Sequence, residues 1–372
     1  MIRLRKVYLI IAILPFLITA CKKDKPEELD VVLSPSVPEF FGSTKSNPNF
    51  ELISDAQSKI KEPQDLDFNP TRPNELWIIN KGLESTGGST VMLTEVGSPN
   101  QKYDYRQDGN AWHFMSLPSA ISFSHTGNWA TSANVLDANH QGGTFTGPTL
   151  WSGDLSIYAR YAGPGTNGSH LDMLHGSPYS MGIESEMENV YWVFDGYHNH
   201  IVRYDFAVDH GPGNHNHDDG KILRYPEMPV IREPNIPSHL AFDENQQWLY
   251  VVDGGNKRIL RMLAHSAYQS KSLPIINEQL ADHWEMAGLV WEVFVPANPE
   301  LINPAGIAVK GNRVFVSDYN SGDIICFDSD SKVEIARINT GEKGILGLTI
   351  GPDGKIYFVN ALSNKVIRID PN

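Results

Sequence analysis

Pro237-Ser-His-Leu-Ala-Phe-Asp-Glu-Asn-Gln-Gln-Trp-Leu-Tyr-Val-Val-Asp253-Gly-Gly-Asn-Lys-Arg-Ile-Leu-Arg261 is the stretch whose reading decides the fold. A Pro-containing turn leads into a short apolar strand. A polar turn follows, then a β-branched and aromatic strand that ends in Asp, then a third strand rich in Ile, Leu and Arg. Related phrases start at Pro63, Pro118, Pro178, Pro304 and Ile345, making six copies. One such unit is too small to bury its own apolar faces, so the copies must pack on one another in a radial or solenoid arrangement.

Aligned on their first strands, the copies read Asp-Leu-Asp-Phe (65–68), Ala-Ile-Ser-Phe (120–123), Ser-Met-Gly-Ile (180–183), His-Leu-Ala-Phe (239–242), Gly-Ile-Ala-Val (306–309) and Gly-Leu-Thr-Ile (347–350). Five second strands end in Asn80, Asp195, Asp253, Asp318 or Asn360. A polar residue recurring once per copy at a strand end is the pattern of a turn cap, which accepts backbone N–H groups. Third strands are plain at 201–205, 259–262, 324–328 and 366–370 and obscure in the first two copies. A helix-like stripe at 276–289 interrupts the pattern and reads as an insertion.

The run Asp253-Gly-Gly-Asn256-Lys-Arg258-Ile259 resembles the repeat of NHL-type β-propellers, and Asp195-Gly-Tyr-His198-Asn-His200-Ile201 departs from it by carrying histidines. The resemblance spans about residues 55–371. It implies an all-β fold, a six-bladed β-propeller of four-stranded antiparallel blades around a central channel. A solenoid is the alternative. The last copy stops after its third strand, so its outer strand is expected from the N-terminal side, at 50–53, which closes the ring and removes an exposed edge. The family includes both binding modules and enzymes, so the resemblance does not fix an activity.

Arg3, Arg5 and Lys6 precede an apolar run at 7–18 that ends in Ile18-Thr19-Ala20-Cys21. This resembles a bacterial lipoprotein signal peptide, with residues 1–20 removed and Cys21 lipidated. Residues 21–49, Pro-rich and charged, read as a flexible tether, and 50–372 as the propeller. The expected location is the cell envelope, lipid-anchored at the outer membrane and facing the periplasm or the surface. The formal charge of −14 becomes more negative on loss of three basic residues. That excludes nucleic acid as a partner and leaves the N-terminal lipid as the link to the membrane. With Cys21 lipidated, Cys326 has no intramolecular disulfide partner and reads as a buried strand thiol.

Two His-rich segments are candidate metal sites for zinc or calcium. In a propeller, connections before first strands and after second strands share one face, here the top. His170, Asp172, His175 and His239 precede first strands and form the expected top-face set, with His140, Asp195, His198 and His200 nearby. The second segment supplies His210, His215, His217, Asp218 and Asp219 after a third strand, which places it on the opposite face, apart from the first. The competing reading is that these groups close loops by hydrogen bonding to backbone. Asp328-Ser-Asp330 starts like a calcium loop but lacks its glycine, and reads as a hairpin turn. No nucleophile elbow, His-Glu-x-x-His or phosphate loop occurs in the chain. The expected function is a lipid-anchored binding module for a peptide, glycan or partner protein, with a metal-dependent lyase or hydrolase using the top-face histidines as the alternative.

Overall fold

The computed structural model describes residues 37–40, 48–160, 167–214, 216–275 and 277–371. The expected signal segment, Cys21 and most of the tether lie outside them. The chain forms six antiparallel sheets, each with its first strand innermost, and these inner strands contact one another in ring order. They are Pro63–Phe68, Pro118–Phe123, Ser180–Met187, Leu240–Asp243, Pro304–Lys310 and Ile345–Ile350, numbered here as blades 1 to 6. The fold is a six-bladed β-propeller, as the repeats predict.

The ring closes where expected. Asn49–Ser54 pairs antiparallel with Lys365–Asp370 and becomes the outer strand of blade 6, with Asn49 opposite Asp370 and Phe50 opposite Ile369. The obscure third strands of blades 1 and 2 are Gly87–Thr94 and Thr149–Trp151. Part of the expected tether is also packed. Val37 and Phe40 are buried against the core shared by blades 5 and 6, and Glu39 pairs with Arg313 and Lys310.

Period-two alternation accounts for the core. In the second strand of blade 1, Trp77 and Ile79 face blade 2 while Leu76 and Ile78 face blade 6. The same alternation sends Leu249 and Val251 of blade 4 towards blade 3, and Tyr250 and Val252 towards blade 5. Among the described residues, each of the six seams between blades holds one apolar cluster. Trp192 lies fully buried in the cluster at the seam of blades 3 and 4, with Trp284 and Trp291 packed against that cluster, while Trp248 packs against the cluster of blades 4 and 5. Cys326 is buried in the core of blades 5 and 6, and burial pushes its thiol up to about 12, so it is a packing residue.

Three of the five strand-end residues cap the following turn as predicted, while Asn80 and Asp253 accept instead from the backbone N–H groups of Lys61 and Ile231, in segments that precede their blades. Asp195, Asp318 and Asn360 each accept two backbone N–H groups from the turn that follows. Asp328 does the same in its hairpin turn, accepting from Asp330 and Ser331.

The insertion is not helical. Tyr268–Ser272 and Asp282–Ala287 form a hairpin that leaves blade 4 between its third and fourth strands. Asp282–Ala287 then pairs in parallel with Lys221–Tyr225, extending the sheet of blade 3 to six strands. The unpaired outer edge of blade 3 offers a row of backbone groups, and satisfying them outweighs the 3.6-residue spacing of the apolar side chains.

Candidate functional site in the central channel

The inner strands come into register through their ladders. Leu66, Ile121, Ile183, Leu240, Ile307 and Leu348 each pair with the residue two before the end of the second strand. This corrects the reading of blade 3, whose matching tetrapeptide is Gly182-Ile183-Glu184-Ser185 and not the one two residues earlier. The slip follows from the proline: Ser180 faces the second-strand end as Pro63, Pro118 and Pro304 do in their blades, while Pro178 lies two residues earlier. The channel therefore has two layers. Asp65, Ala120, Gly182, His239, Gly306 and Gly347 form one, and Asp67, Ser122, Glu184, Ala241, Ala308 and Thr349 form the next.

The first layer plugs the channel. Only Asp65 and His239 carry long side chains there, and glycines make room for them. A Cβ on Gly347 would lie 2.0 Å from Asp65 Oδ1, and one on Gly182 would lie 2.2 Å from the Ser238 carbonyl. The His239 Nε2–H donates to the Ser119 carbonyl (2.9 Å), leaving Nδ1 bare at 3.5 Å from Asp65 Oδ1. Burial lifts Asp65 to about 8 and drops His239 to about 4. Both are uncharged at neutral pH, so this contact is not an ion pair.

Beyond the plug, a cavity of about 330 Å³ opens at the end of the channel where the first strands finish. Its acids brace neighbouring blades. Asp65 Oδ2 accepts from Ile121 N (3.0 Å) and Asp67 Oδ2 from Phe123 N (2.8 Å), joining blade 1 to blade 2. Glu184 accepts from Phe242 N and from Ser122 Oγ, joining blade 3 to blades 4 and 2. Burial, helped by neighbouring Asp65, raises Asp67 to about 7. Burial and the two aspartates push Glu184 well above the usual carboxylate range. Farther out lie Glu244 and Glu186, the latter held bidentate by Arg203. These five acids, His125, Phe68, Phe123 and Phe242 line the cavity, the rings of Phe68 and Phe123 packing into the seams against Tyr357 and against Trp77 and Trp129; no Lys or Arg lines it among the described residues.

The residues predicted as a metal set are not brought together. His239 sits in the channel plug. His170 bonds through Nδ1 to the Asn167 carbonyl and stacks on Phe114, as the loop-closing reading predicts. His175 donates both its backbone N–H and its Nδ1–H to Glu278, at the tip of the inserted hairpin. Asp172 pairs with His217 at 2.5 Å. The two segments expected on opposite faces thus meet, because Asp172–Met173 is itself the outer strand of blade 2. The loop after the third strand of blade 3 runs past that outer edge and is tied to it by Gly213 N on the His170 carbonyl. His210 pairs with Asp219, the Asp218 backbone with Asn216, and His215 lies outside the described residues. Among the described residues, no three His, Cys, Asp or Glu side chains sit close enough to hold a metal ion. His175 Nε2 and Asp172 Oδ2 are buried there without a hydrogen-bond partner among the described residues.

His140 bridges Glu84 and the Trp112 carbonyl. His198 bonds to Asp195, which also holds Arg224, and His200 lies beside that guanidinium.

Asp67 and Glu184 are the site residues that sequence reasoning missed. Correct register in blade 3 places them in one column, and that column is the available signal.

No family model and no curated protein sequence matches the chain. Solved structures do. A luciferin-regenerating enzyme is 12% identical over 87% of this chain and 95% of that one, with a TM-score of 0.55. An auxiliary nutrient binding protein from Bacteroides ovatus is 10% identical over 89% and 75%, with a TM-score of 0.54. A calcium-binding protein, regucalcin, from Agrobacterium tumefaciens is 12% identical over 83% and 91%, with a TM-score of 0.50. At these identities the likeness is one of fold, and the fold is the six-bladed propeller.

Proposed function

We propose that this chain is a lipid-anchored, extracytoplasmic recognition module of the NHL-repeat kind. In this reading its channel mouth binds a ligand carrying an ammonium group, such as a lysine side chain, a peptide amine or an amino sugar. The observation that carries the reading is that Asp67 and Glu184, close enough for the charge of one to raise the other, both line a cavity that no Lys or Arg lines among the described residues. The carboxyls are held largely protonated by burial, and an entering cation restores the charge that burial suppresses. The plug behind them makes the cavity blind, which favours a terminal or side-chain group over a threaded chain. The nutrient-binding neighbour uses the same fold for binding. The anchor is supported by the basic-then-apolar N-terminus ending at Cys21.

The test is calorimetric titration with paired ligands, lysyl peptide against its Nε-acetyl form and glucosamine against N-acetylglucosamine. The amine member of a pair should bind at least tenfold more tightly, and Glu184→Gln should erase the difference. Equal binding of amine and acetyl forms, or an unchanged preference in Glu184→Gln, refutes the reading.

A further inference from the structure

The inserted hairpin is tied to blade 3 by its parallel ladder with Lys221–Tyr225 and, beside that ladder, by a side-chain hydrogen bond that exists only while a histidine is neutral. His283, half-buried on the hairpin strand Asp282–Ala287, donates from Nδ1 to the Pro274 carbonyl (2.8 Å). Its Nε2 faces Arg224 Nε at 3.0 Å. A guanidinium N–H can only donate, so Nε2 must be the acceptor and the ring must carry no charge. Arg224 is fixed on the outer strand of blade 3 by Asp195 (3.1 Å) and by the Gly176 carbonyl (2.6 Å). It cannot turn away when the histidine changes state.

We propose that this contact is an acid-sensitive latch: protonation of His283 replaces a hydrogen bond with repulsion from Arg224, and the hairpin lifts from blade 3. The lifting uncovers a cavity of about 330 Å³ beneath the hairpin, lined by His175, His198, Arg224, Leu273, Glu278 and Leu280.

The groups around His283 favour this sign. Arg224 and His198 both disfavour its charge and burial does the same, so its proton affinity is lowered. His200, held to about 4 by burial, leaves a second neutral ring against the Arg224 guanidinium. Asp195 is already committed to Arg224 and His198. On the hairpin itself, Glu278 is occupied by His175, and Asp282 accepts from the Trp284 indole. Glu285 lies opposite Arg224 in the parallel ladder. The tip has a contact of its own, His175 with Glu278. That contact holds the tip at blade 2 while the strand end leaves blade 3. A folded-state affinity below that of the unfolded chain makes docking strongest above about pH 6.5, and docking weakens as pH falls through the folded value.

Hydrogen–deuterium exchange of the full chain at pH 7 and pH 4.5, corrected for intrinsic rates, tests the latch. Protection of peptides covering 268–287 should fall at least tenfold at pH 4.5 in the wild type, while the inner strand 63–68 stays protected. In His283→Gln, whose amide offers one acceptor and one donor without titrating, protection should persist at both pH values. In Arg224→Met the hairpin should exchange quickly at both. Unchanged hairpin protection in the wild type, or equal loss in a His283→Gln protein with native near-ultraviolet dichroism, overturns the proposal.

Discussion

At Asp67 a single carboxyl does two jobs with opposite electrostatic demands. It accepts the Phe123 N–H across the seam of blades 1 and 2, which any oxygen acceptor can do, and it lies in a buried channel that disfavours its charge. Its raised proton affinity means that between about pH 4 and pH 7 the folded chain holds a proton the unfolded chain has lost. Stability from this group is therefore fullest near pH 4 and falls as pH rises through about 7. Asp67→Asn keeps an acceptor and removes the titration. The variant should be more stable than wild type at pH 8, by on the order of 2 kcal/mol, and nearly equal at pH 4.5. Denaturant unfolding at the two pH values checks this, and an equal effect at both contradicts it. Legibility differed sharply from residue to residue. Asp195 and Asp318 were readable as caps because a local turn explains them. The partners of Asp67 and Glu184 come from other blades, and nothing local marks them.

Among the elements, the inner strands were legible wherever the proline marks the residue facing the second-strand end, and blade 3 slipped because Pro178 lies two residues before that position, which Ser180 holds. The closing strand Asn49–Ser54 was predictable for a different reason, since an exposed edge on blade 6 demanded a partner. The stripe at 276–289 reads as helix-like because its apolar residues have helical spacing, while the hairpin that forms there is held by the edge of a blade that sequence alone does not place beside it. The His-rich segments were misassigned by the same kind of gap. A two-residue outer strand, Asp172–Met173, is too short to read, so residues on the outer rim looked like residues on the top face. The hairpin and the channel also answer pH in opposite senses. Acid loosens a contact that needs a neutral His283, and it stabilises a channel whose carboxyls prefer their protons.

Across the whole molecule, six seams each closed by an apolar cluster make a stiff ring, and the acidic cavity sits at its axis. The net negative charge of the chain gives it little attraction for an anionic bilayer, so the proposed membrane attachment rests on Cys21 alone. Cys21→Ala should move the protein from the detergent-extracted membrane fraction to the soluble fraction and abolish incorporation of labelled palmitate. Continued labelling in the variant contradicts the anchor.

The central claim is that the channel takes up a cation by giving up protons. Calorimetric titration of an amine ligand at pH 7 in two buffers of different ionisation enthalpy measures it directly. A buffer-dependent heat is expected, corresponding to net release of protons on binding, smaller in Asp67→Asn and in Glu184→Gln than in the wild type. Binding with the same heat in both buffers contradicts it.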